Sequence, residues 1–108
     1  MWNGKKKAVT FSYDDGVTQD CRLVEMMNTY GVKGTFNLNS GMQSYANVWE
    51  HPKGLLIHRM NTEGLKELYQ GHEIAAHCLT HADLPKYDEE TLSCFNKIAG
   101  NLISNAFK

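Results

Sequence analysis

The sequence predicts an α/β fold built from parallel strand–helix units. Runs rich in β-branched and aromatic residues alternate with stretches whose apolar residues recur at helical spacing. Each strand-like run ends in a polar or glycine-marked turn. The length, 108 residues, allows one domain or part of one.

The first strand is read over residues 8–13 (AVTFSY). It stops at Asp14-Asp15-Gly16, where the glycine suits a sharp turn. A helix follows, opened by Thr18 or Asp20 and closed by Gly31 as the residue just past its end. Leu23, Val24, Met27 and Tyr30 give it one apolar face. The second strand covers residues 34–39. Residues 40–60 show little periodicity and hold Gly41, Pro52 and Gly54, which predicts a long loop with no more than a short helical turn. Loops of that length in compact domains are often functional. The next helix starts at Thr62, places Leu65, Leu68 and Tyr69 on one face, and ends at Gly71. The third strand is residues 73–77. A loop through Ala82-Asp83-Leu84-Pro85 leads to Asp88, a good N-cap for a long final helix. Its apolar stripe is Leu92, Phe95, Ile98, Leu102, Ile103 and Ala106. This alternation predicts parallel strands joined by right-handed crossovers, with the site at the carboxyl ends of the strands.

Composition narrows the function. Hydrophobic residues make up 42% and charged residues 21%, the balance of a globular chain. The net charge of −1 argues against nucleic acid held through phosphate contacts. Lys5-Lys6-Lys7 reads as a solvated edge before the first strand. No apolar run reaches membrane-spanning length, so no membrane partner is expected. The start, Met1-Trp2-Asn3-Gly4, lacks the apolar core of a signal peptide. Cys21, Cys78 and Cys94 follow no disulfide or cysteine–zinc spacing, which fits a reducing, cytoplasmic setting by default.

The chemistry sits in two short motifs. Thr10-Phe11-Ser12-Tyr13-Asp14-Asp15-Gly16 offers two adjacent carboxylates at the end of an apolar run. His77-Cys78-Leu79-Thr80-His81 offers two imidazoles four residues apart. A carboxylate with two histidines can hold a zinc-like ion and leave one position open for water, while the second carboxylate serves as a base. On a continuous strand His77 and His81 would stand roughly 13 Å apart, so the chain must turn after His77 for them to share an ion. Consecutive residues on a strand face opposite sides, so Asp14 and Asp15 need not compete for one role. An iron(II) oxygenase also uses two histidines and one carboxylate, but the adjacent second aspartate suits hydrolysis better.

These residues resemble the two leading motifs of the polysaccharide deacetylases, the NodB homology domain of carbohydrate esterase family four. Gly34-Thr35-Phe36-Asn37-Leu38 and Gly71-His72-Glu73-Ile74 resemble the family's segments at those places. The resemblance implies a partial (β/α) barrel of the NodB type, with residues 1–108 forming the amino-terminal part of such a domain. It implies Asp14 as catalytic base and Asp15, His77 and His81 as ligands of a divalent metal, usually zinc. Metal-bound water would then attack an acetyl carbonyl on an amino sugar of a chitin- or peptidoglycan-like polysaccharide. His72 matches a common family residue and receives no catalytic role.

Cys78 stands where the family usually has serine or threonine, and Ala82 replaces a frequent proline. No histidine follows His81 and no arginine follows Arg59, so the family's later acid and arginine have no match. Three open strands also leave an unpaired edge. The expectation is therefore completion by a carboxy-terminal half or by self-association into a homo-oligomer. Two alternatives stay open: a non-catalytic metal-binding half-domain, and a hydrolase of small amides on the same scaffold.

Overall fold

A computed structural model describes residues 2–81, 83 and 86–107. The architecture is mixed α/β. Strands β1 (Ser12–Asp14), β2 (Thr35–Leu38), β3 (Val48–Glu50), β4 (Leu56–His58) and β5 (Glu73–Ala76) are interleaved with helices α1 (Asp20–Thr29), α2 (Leu65–Leu68) and α3 (Glu89–Ala106). The main sheet is parallel, ordered β1-β2-β5, and β3 and β4 form a separate antiparallel pair. Among the described residues no helix is long and apolar enough to cross a membrane.

The centre of the sheet is β2, and its alternation builds the core. Phe36 and Leu38 are fully buried, while Asn37 and Asn39 take the intervening positions. Val24 and Met27 of α1 pack on that apolar face together with Leu65 and Tyr69. The Phe36 and Tyr69 rings lie 4.6 Å apart, an offset contact typical of core aromatics. Helix α1 ends in a Schellman arrangement. Gly31 adopts φ +67°, its N–H bonds to the Asn28 carbonyl, and the Val32 N–H bonds to the Met27 carbonyl. Asp88 caps α3 by accepting from the Thr91 N–H at 2.7 Å.

Several sequence expectations need correction. Strand β1 begins at Ser12 rather than residue 8. Among the described residues only β2 pairs with it, and residues 8–10 join no strand and stay exposed. Tyr30 is 81% exposed because it lies past the last helical turn. The helix expected from Thr62 to Gly71 shortens to Leu65–Leu68, since Gly64 takes a left-handed φ of +83° at its start. The long loop over residues 40–60 holds the β3–β4 hairpin, with Val48 opposite His58 and Glu50 opposite Leu56. Its turn closes through His51 and Leu55, with Gly54 at φ +81°. Short exposed strands carry no clean period, which hid the hairpin. On α3 the expected stripe is only partly covered: Ile98 and Leu102 remain over 40% exposed, while Ala99 is buried. The side chains of Phe95 and Ala106, and the loop residues Ala82, Leu84 and Pro85, lie outside the described residues.

Candidate metal centre

The site forms where β1 and β5 end at their carboxyl termini. Asp14 is the last residue of β1. Asp15 leaves the strand with φ +78° and donates its N–H to the Asn37 carbonyl at 2.9 Å. A left-handed residue directly after the strand brings both carboxylates toward one place, where strand pleating alone would separate them. Gly16 continues the turn at φ +59°.

His77 follows β5 and is tied to β2 through its N–H and the Leu38 carbonyl, 2.9 Å apart. The chain then turns sharply, with Cys78 at φ +64° and His81 at φ +54°. That turn meets the condition set by the sequence: the two imidazole rings come within 4.9 Å of each other, centre to centre. Asn37 of β2 and Asn39, just past its end, hold the pieces in place. Asn37 donates to Asp14 Oδ1 at 2.9 Å and to Ser12 Oγ at 2.8 Å. Asn39, fully buried, donates to the His77 carbonyl.

The result brings Asp15, His77 and His81 together, one ligand atom from each within 4.8 Å of the others. Asp15 Oδ1 lies 3.6 Å from Nε2 of both histidines. Two ligands held at about 2.1 Å on a tetrahedral ion stand about 3.4 Å apart, so the spacing is close to what one zinc-sized ion requires. Asp15 Oδ1 is also buried and accepts no hydrogen bond. A buried carboxylate oxygen without a donor, facing two imidazole nitrogens, suits a cation. Asp14 Oδ2 stands 3.9 Å from His77 Nε2, beside the cluster and more exposed than Asp15.

Two contributors were not picked out from the sequence. Arg59, buried, places Nη2 3.4 Å from Asp15 Oδ1 and donates to Asn39 Oδ1 at 3.3 Å. It stacks on Trp49 of β3, its guanidinium carbon 4.7 Å from the ring centre. Asn39 had a faint signal, a polar residue closing an otherwise buried strand. Arg59 had none until the hairpin that carries it is known. A cleft of about 520 Å³ beside the cluster is lined in part by Asp15, Trp49, Arg59, Thr80 and His81.

His72 lies elsewhere. Its Nδ1 accepts from the Gly34 N–H at 3.1 Å and its Nε2 pairs with Asn28 Oδ1 at 2.8 Å. Burial, aided by the Lys33 charge, pushes its pKa below the ordinary histidine value. Asp20, at the start of α1, accepts from the Tyr69 hydroxyl at 2.7 Å. Burial raises its pKa to about 6 against the lowering effect of that bond, with the nearby Asp15 charge adding to the rise.

An α/β chain with two histidines and a carboxylate gathered at the carboxyl ends of parallel strands has a group of side chains that could hold one metal ion. This chain belongs to the polysaccharide deacetylase family, whose model matches residues 2–99. It is also similar to a chitin deacetylase from Pestalotiopsis sp, 31% identical over 78 residues. That match covers 71% of this chain and 22% of the fungal protein. No solved structure matches.

Proposed function

We propose that the chain carries the metal-holding and base-bearing part of a deacetylase that removes acetyl groups from amino sugars of a chitin- or peptidoglycan-like polysaccharide. The observation that carries this reading is the Asp15–His77–His81 cluster, whose buried Asp15 oxygen accepts no hydrogen bond, set beside Asp14. In this reading Asp15, His77 and His81 hold a divalent ion, zinc by the chemistry of the donor set. When bound, such an ion supplies Lewis acidity for an acetyl oxygen and a water of lowered pKa.

The chain's own groups account for the rest. Asn37 occupies Asp14 Oδ1, which leaves Oδ2 as the free acceptor facing the cluster. Oδ2 is placed to take a proton from the water that adds to the acetyl carbonyl. The acetyl C–N bond then breaks as the proton taken up by Asp14 passes to the nitrogen, and acetate and a free amine leave. The sheet would form the opening part of a (β/α) barrel, consistent with a match confined to 22% of the fungal protein.

A second reading, metal binding without turnover, is favoured by one observation. The three described histidines outside the cluster are engaged elsewhere. His72 is held by Gly34 and Asn28, His58 stacks on Tyr45, and His51 accepts from the Lys53 N–H.

Zinc calorimetry separates the parts. Wild type should bind one zinc per chain, Asp15→Ala none, and Asp14→Ala nearly as much as wild type. Equal affinity in all three removes the site assignment. Acetate release from N-acetylglucosamine oligomers, lost in Asp14→Ala, then supports the deacetylase over a metal-holding module. Release from small amides alone would move the substrate class.

A further inference from the structure

Arg59 is a buried cation that has few hydrogen bonds beside its ion pair with Asp15. A guanidinium carries five donors and stays charged at any working pH. Here Nη2 reaches Asn39 Oδ1, at a long 3.3 Å, and Nε is buried with no hydrogen-bond partner. Burying a charge with so few partners is costly, and such a group persists when the surrounding structure forces it into place.

The backbone does force it. Arg59 bridges Val17 directly after β4. The Met60 N–H bonds to the Gly16 carbonyl at 2.9 Å, and the Thr18 N–H to the His58 carbonyl at 3.0 Å. The hairpin is therefore laced to the same turn that carries Asp14, Asp15 and Gly16. On the hairpin side the Arg59 N–H bonds to the Asn47 carbonyl at 3.0 Å. Trp49 covers the guanidinium, which presents Nη2 to Asp15 Oδ1 at 3.4 Å. That oxygen is the one 3.6 Å from both histidines.

We propose that Arg59 acts on the metal centre through Asp15, pairing with the carboxylate oxygen that faces the two histidines and competing with the ion for it. This rests on the metal-holding reading above. Arg59 thereby withdraws charge from the carboxylate. An ion held there is bound less tightly and keeps more of its Lewis acidity. Paired with Asp15, the arginine also offsets the repulsion that carboxylate feels from the adjacent Asp14 when no ion is present.

The test is zinc calorimetry on the full chain, with cobalt(II) absorption as a spectroscopic readout, for wild type and Arg59→Met, Arg59→Gln and Arg59→Lys. Removing a unit charge about 5 Å from a dication tightens binding roughly tenfold even in a water-like dielectric. Both neutral variants should therefore bind zinc roughly tenfold more tightly and shift the cobalt bands. Arg59→Lys, which keeps the charge, should stay within about threefold of wild type. Acetate release should fall in the neutral variants despite the tighter binding. A purely structural arginine gives the opposite: weaker binding along with lower stability. Weaker or unchanged zinc binding in a folded neutral variant overturns the proposal, as does failure of both neutral variants to fold. If wild type binds zinc and releases acetate while the variants match it, only the role of Arg59 falls. If wild type binds no zinc, both readings fall.

Discussion

Replacing Asp20 by asparagine should change stability in a way that reverses sign with pH. Asp20 is buried at the start of α1, and its pKa rises from 3.8 to about 6. The folded state therefore binds its proton more tightly than the unfolded state, so ionisation destabilises the fold. Stability from this group is full below pH ~4, falls as pH rises from ~4 to ~6, and stays low above that. The shift corresponds to a penalty of about 3 kcal/mol at pH 7, trimmed to about 2 kcal/mol for residual solvent screening, and about 0.5 kcal/mol at pH 4. Asparagine keeps an oxygen for the Tyr69 hydroxyl but brings a buried amide N–H that costs about 1 kcal/mol at any pH. The variant should thus be about 1 kcal/mol more stable than wild type at pH 7 and about 0.5 kcal/mol less stable at pH 4. Urea unfolding of both proteins in chelator at the two pH values measures this, and the fixed amide cost cancels in the comparison between them. A difference between variant and wild type that is the same at pH 4 and pH 7 would refute the reasoning, since burial of the charge would then carry no weight.

Two further predictions rest on backbone and histidine geometry. Gly16→Ala should cost about 2–3 kcal/mol in urea unfolding and weaken zinc binding, because φ is +59° there and an added Cβ would stand 2.7 Å from Gln43 Oε1 and 2.8 Å from Leu38 Cδ2; an alanine variant of wild-type stability and affinity would show that the Asp15 turn relaxes freely. His72→Ala should cost about 1–2 kcal/mol at pH 8 through loss of the Gly34 and Asn28 bonds. Because the folded pKa of His72 lies below the ordinary 6.5, its contribution is present above that value and shrinks as pH falls below it, so the gap between wild type and variant should narrow in acid; a gap that is constant from pH 8 to pH 5 counts against the bracketing role.

The parts of the molecule legible in the sequence are those decided by local chemistry. Asp14-Asp15-Gly16 reads as a turn at a strand end, and the structure places it there with two left-handed residues in succession. Gly31 and Asp88 mark the ends of their helices because capping is a property of a few neighbouring residues. His77 and His81 required only that the chain bend between them, and Cys78 supplies the bend. What stayed hidden depends on partners distant in sequence. Arg59 reaches Asp15 across 44 positions because a hairpin of two three-residue strands is tied to another turn. Asn39 gains its role only when β2 and β5 lie side by side. The apolar stripe of α3 has a clear helical period, but period says nothing about how much surface lies opposite to cover it. Among the described residues of α3, Ala99, small and outside that stripe, is the one buried.

The hairpin has one consequence for experiment design. Its base is stitched to the Asp15 turn, whereas an added Cβ at Gly54 in its tip would meet nothing within 4 Å. Residues 52–54 therefore offer an attachment point for a fluorophore or a paramagnetic tag that reports on the arginine-bearing arm without touching the ligand set. Because the arm and the aspartate turn share backbone bonds, a probe at that tip would register loading of the centre as a change in mobility, giving a sensor that requires no turnover.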